Sequence, residues 1–387
     1  MTKRKPKKAA IQASPPEVRS PVFLVTGFPN LLCRELIERI ARSRPDDALF
    51  ILAETKFAKD EGRFLARLKH RRAEVVIGDV ADMHLGLAGE EYERLGAQVT
   101  QVFHLAAISY LGLPKETAWR VNVEGTHNVV DFARECLHLE RLEHLSSCYV
   151  SGDRVGVIEE DELDCGQRFH SAFEETKFLA EKWVARSAEH LPVAIYRPSS
   201  MVGNSRTGEI DRFDGPLYLA LHWITSTLTG SLPLPGNGST PMNVVPIDFV
   251  ADAIWTLSQN PRAVGRVFHL VDPHPASTRR ICDRIARRAN KQLPKFNFSA
   301  KAADVLLRLP GLEKLTRPER AGIHYINQMA LYNGRATREL LEGSGIRCPS
   351  LPQYLDLVSE YFRRAELNRA ESSEPPDDPF YPPGPAQ

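Results

Sequence analysis

The chain has 387 residues, 42% of them hydrophobic, enough to bury a substantial core as one large domain with a smaller lobe. Lys and Arg number 50 against 49 Asp and Glu, and the net charge of +1 gives no reason to expect a nucleic acid or membrane partner. Six scattered cysteines, without a CxxC pair or a Cys/His cluster, argue against a structural zinc or a disulfide scaffold and fit a reducing, cytoplasmic compartment.

Residues 1–20 are basic and nearly free of large apolar side chains, so they are predicted to be a disordered tail. Lys3, Arg4, Lys5, Lys7 and Lys8 read as solubilising charge in preference to a contact with anionic lipid or nucleic acid. Over residues 21–203 short apolar runs alternate with segments of helical periodicity. The runs are Val22–Thr26, Ala48–Ala53, Glu74–Gly78, Val102–Ala106, Leu142–Ser146 and Val193–Tyr196. The helical segments are Leu31–Arg44, Glu61–Arg71, Val121–Arg134 and Glu174–Glu189. This alternation predicts an α/β fold, a Rossmann-type doubly wound parallel sheet covered on both faces. Beyond about residue 200 it breaks down. A smaller C-terminal α+β substrate lobe is expected over residues 204–366, with Val244–Ile247 and Arg266–Val271 returning as strands. The apolar stretch Pro216–Leu228 contains His222, Thr225 and Ser226 and is too short to span a bilayer, so no transmembrane helix is predicted. Residues 367–387 are a Pro-rich, acidic tail.

The first strand runs into Thr26-Gly27-Phe28-Pro29-Asn30-Leu31-Leu32-Cys33, where a Rossmann fold sets a diphosphate against a helix start. Against the pattern TGxxGxxG, Gly27 is present while Asn30 and Cys33 hold the other glycine slots. Asn tolerates positive φ, so the turn is predicted to survive, with Cys33 spacing helix from strand or forcing a local repacking. After the second strand, Glu54 suits the ribose hydroxyls of NAD and Lys56 the extra phosphate of NADP, which leaves the choice of NADP or NAD open. Further along stand Gly78-Asp79-Val80, His104-Leu105-Ala106-Ala107 and Asn122-Val123-Glu124-Gly125-Thr126. Ser146-Ser147-Cys148-Tyr149-Val150-Ser151-Gly152 follows a strand, and Phe173 stands four residues before Lys177. Tyr196-Arg197-Pro198-Ser199-Ser200-Met201-Val202-Gly203 closes another strand and enters a loop, and Leu234-Pro235-Gly236-Asn237-Gly238 precedes a stretch from Asn243 through Asp248 to Ala253.

In this order the motifs resemble the extended short-chain dehydrogenase/reductases, in the fatty acyl-CoA reductase and thioester reductase branch of male-sterility type. The resemblance implies a cofactor site of Thr26, Gly27, Phe28, Asn30, Leu31, Glu54, Lys56, Asp79, Val80, Ala106, Ala107, Asn122, Lys177, Arg197 and Pro198. It implies catalysis by Ser147 and Lys177, with Phe173 in the slot of the family's tyrosine. Hydride transfer to a carbonyl requires a proton for the oxygen, and a phenylalanine carries none to give. Tyr110, Tyr149 or a water on Lys177 are the substitutes to consider. The implied substrates are an acyl-CoA or carrier-protein thioester or another lipid carbonyl, with Phe213, Leu217, Leu221 and Trp223 as candidate walls of an acyl channel along Leu217–Leu228. Two other readings stand beside this oxidoreductase of lipid metabolism. One is a non-catalytic NAD(P)-binding sensor or scaffold, and the other a nucleotide-sugar epimerase or dehydratase.

Overall fold

A strand with no solvent face needs apolar side chains on both sides, and Ala48–Ala53 (ALFILA) is buried along its whole length. The computed structural model describes residues 20–109, 113–213, 215–225, 238–293 and 324–371. Tyr110, Leu234–Asn237 and nearly all of both expected tails lie outside the described residues.

In chain order, β1 (Val22–Thr26) leads to α1 (Leu31–Ser43), β2 (Ala48–Ala53) to α2 (Ala58–Leu68), and β3 (Ala73–Ile77) to α3 (Gly89–Gln98). After β4 (Gln101–His104), the short α4 (Lys115–Ala118) passes through a π-turn at Trp119–Glu124 into α5 (Gly125–Glu135). Then come β5 (Arg141–Leu145), β6 (Gly156–Ile158), α6 (Ala172–Ser187), β7 (Val193–Pro198) and β8 (Ser200–Val202). The remainder holds α7 (Pro216–Thr225), β9 (Val244–Pro246), α8 (Ile247–Ser258), β10 (Val267–Leu270), α9 (Thr278–Arg288), β11 (Ala330–Tyr332), α10 (Arg335–Leu341) and α11 (Leu351–Glu371).

Seven strands form a parallel sheet in the order β10-β7-β5-β4-β1-β2-β3. The order reverses between β1 and β4, and a doubly wound sheet opens its ligand crevice at such a point, beyond the carboxyl ends of the strands. The fold is thus the Rossmann-type α/β architecture read from the sequence. Helix α3 is an addition to the four expected helices. Val244–Pro246 does not join the main sheet but pairs with Ser200–Val202, whereas Val267–Leu270 forms its edge on β7.

One face of the sheet is covered by Leu36, Ile37 and Ile40 of α1 packed with Val250, Ile254 and Leu257 of α8. The other carries Tyr92 and Leu95 of α3, Val129 and Phe132 of α5, and Val184 of α6. A separate core joins Leu217, Leu221 and Trp223 of α7 to Ile281 and Ile285 of α9 and Leu355 and Val358 of α11. These α7 side chains, expected to wall a channel, are consumed by helix packing. Their helix is apolar on most sides and is buried between neighbours, with Phe213 packed on the same core. No helix among the described residues is long and apolar enough to cross a membrane.

A buried ion pair fastens α6 to β7. Glu181 accepts from Arg197 Nε at 2.9 Å and from Nη2 at 2.5 Å, and both side chains are almost wholly enclosed. Arg197 also donates to the Glu162 carbonyl at 2.9 Å, and Ser146 donates to Glu181 in a short bond. Removing one charge leaves the other buried and uncompensated, so Glu181→Gln is expected to destabilise the fold by about 3–5 kcal/mol. Joint replacement by Glu181→Leu and Arg197→Met is expected to cost less, measured by urea unfolding of both variants.

Candidate active site

The turn after β1 is shaped by one glycine. Gly27 has φ 102°, and a Cβ there would lie 2.8 Å from the Ala106 nitrogen and the Leu105 carbonyl carbon, so only glycine brings β1 this close to the chain after β4. Asn30 does not adopt the positive φ expected of it. At φ −59° and ψ 153° it is the N-cap of α1, its Oδ1 accepting from the Cys33 N–H at 2.8 Å. Cys33 fills the third glycine slot wholly buried, its thiol 3.8 Å from the Thr26 carbonyl and its pKa pushed up by burial.

Beneath this turn runs a chain of buried polar groups whose hydrogens can be assigned one by one. The Thr126 hydroxyl donates to the Asn122 carbonyl at 2.7 Å, so towards His104 Nε2, 3.0 Å away, it can only accept. The imidazole therefore carries its proton on Nε2, and Nδ1 accepts from the Thr26 hydroxyl at 3.0 Å. Thr26 in turn accepts from the Ala106 N–H at 3.2 Å. Burial, followed by the Lys177 charge, lowers the His104 pKa to about 3 and keeps the ring neutral.

Asn122, set in the π-turn, clamps the loop after β4. Its amide accepts from the Ile108 N–H at 2.8 Å and donates to the Ile108 carbonyl and to Thr176 of α6, each at 3.0 Å. These bonds occupy its amide, which holds the crevice wall and does not face into it.

At the carboxyl ends of the strands lies a cavity of about 230 Å³. Ser147, Phe173 and Lys177 all line it, as do Asn30, Leu31, Ala107 and Pro198. Ser147 follows β5 and accepts from the Tyr149 N–H at 3.2 Å, which leaves its own hydrogen for another partner. Helix α6 starts at Ser171, whose hydroxyl caps the Glu174 N–H at 3.3 Å, while Glu174 accepts from the His170 N–H at 2.7 Å. Phe173 in its first turn and Lys177 one turn later share a face. Lys177 Nζ donates to the Leu145 carbonyl at 2.5 Å, and burial lowers its pKa to about 8 against the opposing pull of Glu181.

Other sequence candidates sit elsewhere. The Phe28 ring is buried against Phe64, with centroids 5.2 Å apart, so only its backbone serves the turn. Arg197 is engaged by Glu181, outside the cavity. Thr26 and Ala106 bond each other under the turn. Glu54 and Lys56 pair at 2.8 Å beyond β2. Asp79 accepts from the Ala81 N–H at 2.9 Å, with Arg120 3.9 Å away, and Val80 packs under Gly125. Among the described residues no group of three His, Cys, Asp or Glu side chains forms a metal site.

Further residues complete the cavity, and of Tyr325, Ser199 and Asp211 only Ser199 lies within a quoted motif. Tyr325 packs against Tyr149 with the rings tilted by 57° and centroids 4.7 Å apart, and its hydroxyl lies 3.1 Å from that of Ser171. Ser199 brings a buried hydroxyl with no partner among the described residues, and Asp211 brings a carboxylate. Asp211 stands in a polar loop with no periodicity, 180 positions from the Leu31 N–H it meets, which is why local pattern could not find it.

Residues 25–254 match the NAD-binding family described as male sterility protein. A linear gramicidin synthase polypeptide from Brevibacillus parabrevis is 25% identical over 303 residues, which cover 75% of this chain and 6% of that protein. Fatty acyl-CoA reductase wat from Drosophila melanogaster is 26% identical over 298 residues, covering 65% of this chain and 57% of that protein. The chain therefore spans only part of the length of both relatives. The terminal R domain from the myxalamid PKS-NRPS biosynthetic pathway shares the fold, with a TM-score of 0.76 at 23% identity over 94% of this chain and 95% of that one.

The cap geometry sets the cost of changing Asn30. Asn30→Ala is expected to cost about 1 kcal/mol and Asn30→Gly only a few tenths, measured by urea unfolding. A glycine variant less stable than the alanine variant would contradict the capping role.

Proposed function

Because the chain belongs to the male sterility protein family of NAD-binding domains, we propose that it is an NAD(P)H-dependent reductase of an acyl thioester or a related lipid carbonyl. The observation that carries this reading is the meeting of Ser147, Phe173 and Lys177 on one cavity at the carboxyl ends of the strands. Residues 21–203 are assigned to the nucleotide and 204–366 to the substrate, with α8 and β10 returning onto the nucleotide half.

The residues present suit a dinucleotide. Gly27 allows close backbone approach, and the Ser147 hydrogen is left for a partner at the cavity. The turn Gly27–Leu31 would hold the diphosphate, Asp79 and Val80 the adenosine, Glu54 or Lys56 the ribose, and Ala107 and Pro198 the nicotinamide end. When bound, the dinucleotide supplies a hydride to the carbonyl carbon.

The chain's own groups then manage the oxygen. The Ser147 hydrogen is left for the carbonyl oxygen and stabilises it as charge develops. Lys177, seated on the Leu145 carbonyl, is acidic enough near pH 8 to give that oxygen its proton. Phe173 keeps the shape of a tyrosine without its proton, and burial raises the pKa of the Tyr149 phenol that also lines the cavity, so the proton falls to Lys177.

That same absence favours a second reading, an NAD(P)-binding protein without turnover. Phe173→Tyr separates the two. For a reductase, the added hydroxyl is expected to raise kcat with an acyl-CoA by about tenfold or more, towards the roughly 10²–10⁴ range typical of general acids. If both forms bind dinucleotide and neither turns over, the non-catalytic reading holds. A pH profile tests the donor: wild-type kcat is expected to fall as pH rises through about 8, as Lys177 loses its proton. A rate flat from about pH 6 to 10 would remove Lys177 from that role.

A further inference from the structure

Polar contacts tie the loop between β8 and α7 onto the start of α1. Asn204 donates to Glu35 at 2.8 Å, and Arg34 reaches Glu209 at 3.4 Å and Asp211 Oδ1 at 2.8 Å. The other Asp211 oxygen accepts a short bond from the Leu31 N–H, and the Cys33 N–H is taken by Asn30. Donors at the helix start thus point at acceptors of the same chain, where a dinucleotide-binding turn presents them to a diphosphate. A carboxylate that takes a helix N–H on one oxygen and a guanidinium on the other reproduces the contacts of a phosphate.

Ser199 belongs to the same cavity lining, and its enclosed hydroxyl has no hydrogen-bond partner among the described residues. The N-terminal end of the loop is fixed separately, with the Ser205 N–H and hydroxyl on Asp248 at 2.8 and 2.7 Å.

We propose that Asp211 is a stand-in for phosphate supplied by the chain itself, closing the diphosphate position of α1 until an entering nicotinamide dinucleotide displaces it and takes over Arg34. This rests on the functional reading above that such a dinucleotide binds. Residues 209–213 swing while Ser205 stays on Asp248. Because Ile210 and Arg212 line the same cavity, cofactor entry reshapes the substrate side, and cofactor binds first.

Calorimetric titration of the full chain with NADPH and NADH tests this, comparing wild type with Asp211→Ala and Asp211→Asn. Removing the competing carboxylate is expected to lower Kd by about tenfold, equivalent to about 1.4 kcal/mol, with the isosteric asparagine in between. In wild type, NADPH is expected to speed amide hydrogen exchange at residues 209–213. Equal or weaker binding by Asp211→Ala, or unchanged exchange, overturns the displacement while leaving the reductase reading intact. Absence of binding by all three proteins overturns the reductase reading and this inference with it. If Asp211→Ala fails to fold, Asp211→Asn decides, since its amide can keep the Leu31 contact without the charge.

Discussion

The imidazole of His104 holds the crevice together. It bridges Thr26 at the end of β1 and Thr126 of α5, and each hydroxyl has a further partner that fixes the direction of every hydrogen. Such a chain works only with a neutral ring, and burial ensures that. From Thr126 the order passes to the Asn122 carbonyl, and the Asn122 amide then binds both the β4 loop and Thr176. Thr176 lies one residue before Lys177. The turn that would meet a diphosphate and the helix that presents the ammonium are therefore positioned by one continuous polar network. A fully satisfied network in a low-dielectric interior is rigid because each misplaced member would strand a buried donor or acceptor.

Charge around Leu145 and Ser146 is partnered as completely. The Leu145 carbonyl holds Lys177, and the Ser146 hydroxyl donates to Glu181. Glu181 is bound in full to Arg197, yet still lies one helical turn from Lys177 and partly offsets the burial of its ammonium. Lys177 is left charged but weakly so. Without a phenol at position 173, that state is what the proposed role of the lysine as proton donor rests on.

The strands are legible because a buried parallel sheet writes itself as continuous apolar runs, and those expected lie within a residue or two of β1 to β5 and β7. Ser147, Phe173 and Lys177 are legible as motif positions, and the fold brings them to one cavity. Other expectations fail where chemistry at the residue overrides the family pattern. Asn30 belongs to a residue type that tolerates the left-handed region, but its side chain gains more as a cap than its backbone would from positive φ. Arg197, beside Pro198 in the motif, points the other way because successive strand residues face opposite sides of a sheet. The apolar run of α7 could signal a channel or a core, and only its partners α9 and α11, distant in sequence, decide for core.

Size links the two ends of the site. At about 230 Å³ the cavity lies below the roughly 300–1,000 Å³ usual for pockets that enclose a drug-sized ligand, and on the proposed reductase reading it would have to serve both a nicotinamide and a substrate carbonyl. Its upper wall is the loop carrying Ile210, Asp211 and Arg212, held to α1 by ion pairs that are only partly shielded from water. Partly exposed ion pairs contribute little to stability, so this wall is the easiest part of the enclosure to move. The His104 and Asn122 network lies outside the cavity lining, and its bonds are buried and complete. On the proposed displacement, enlargement would proceed by lifting the loop, so that the carboxylate at the helix start and the side chains in the cavity would leave together.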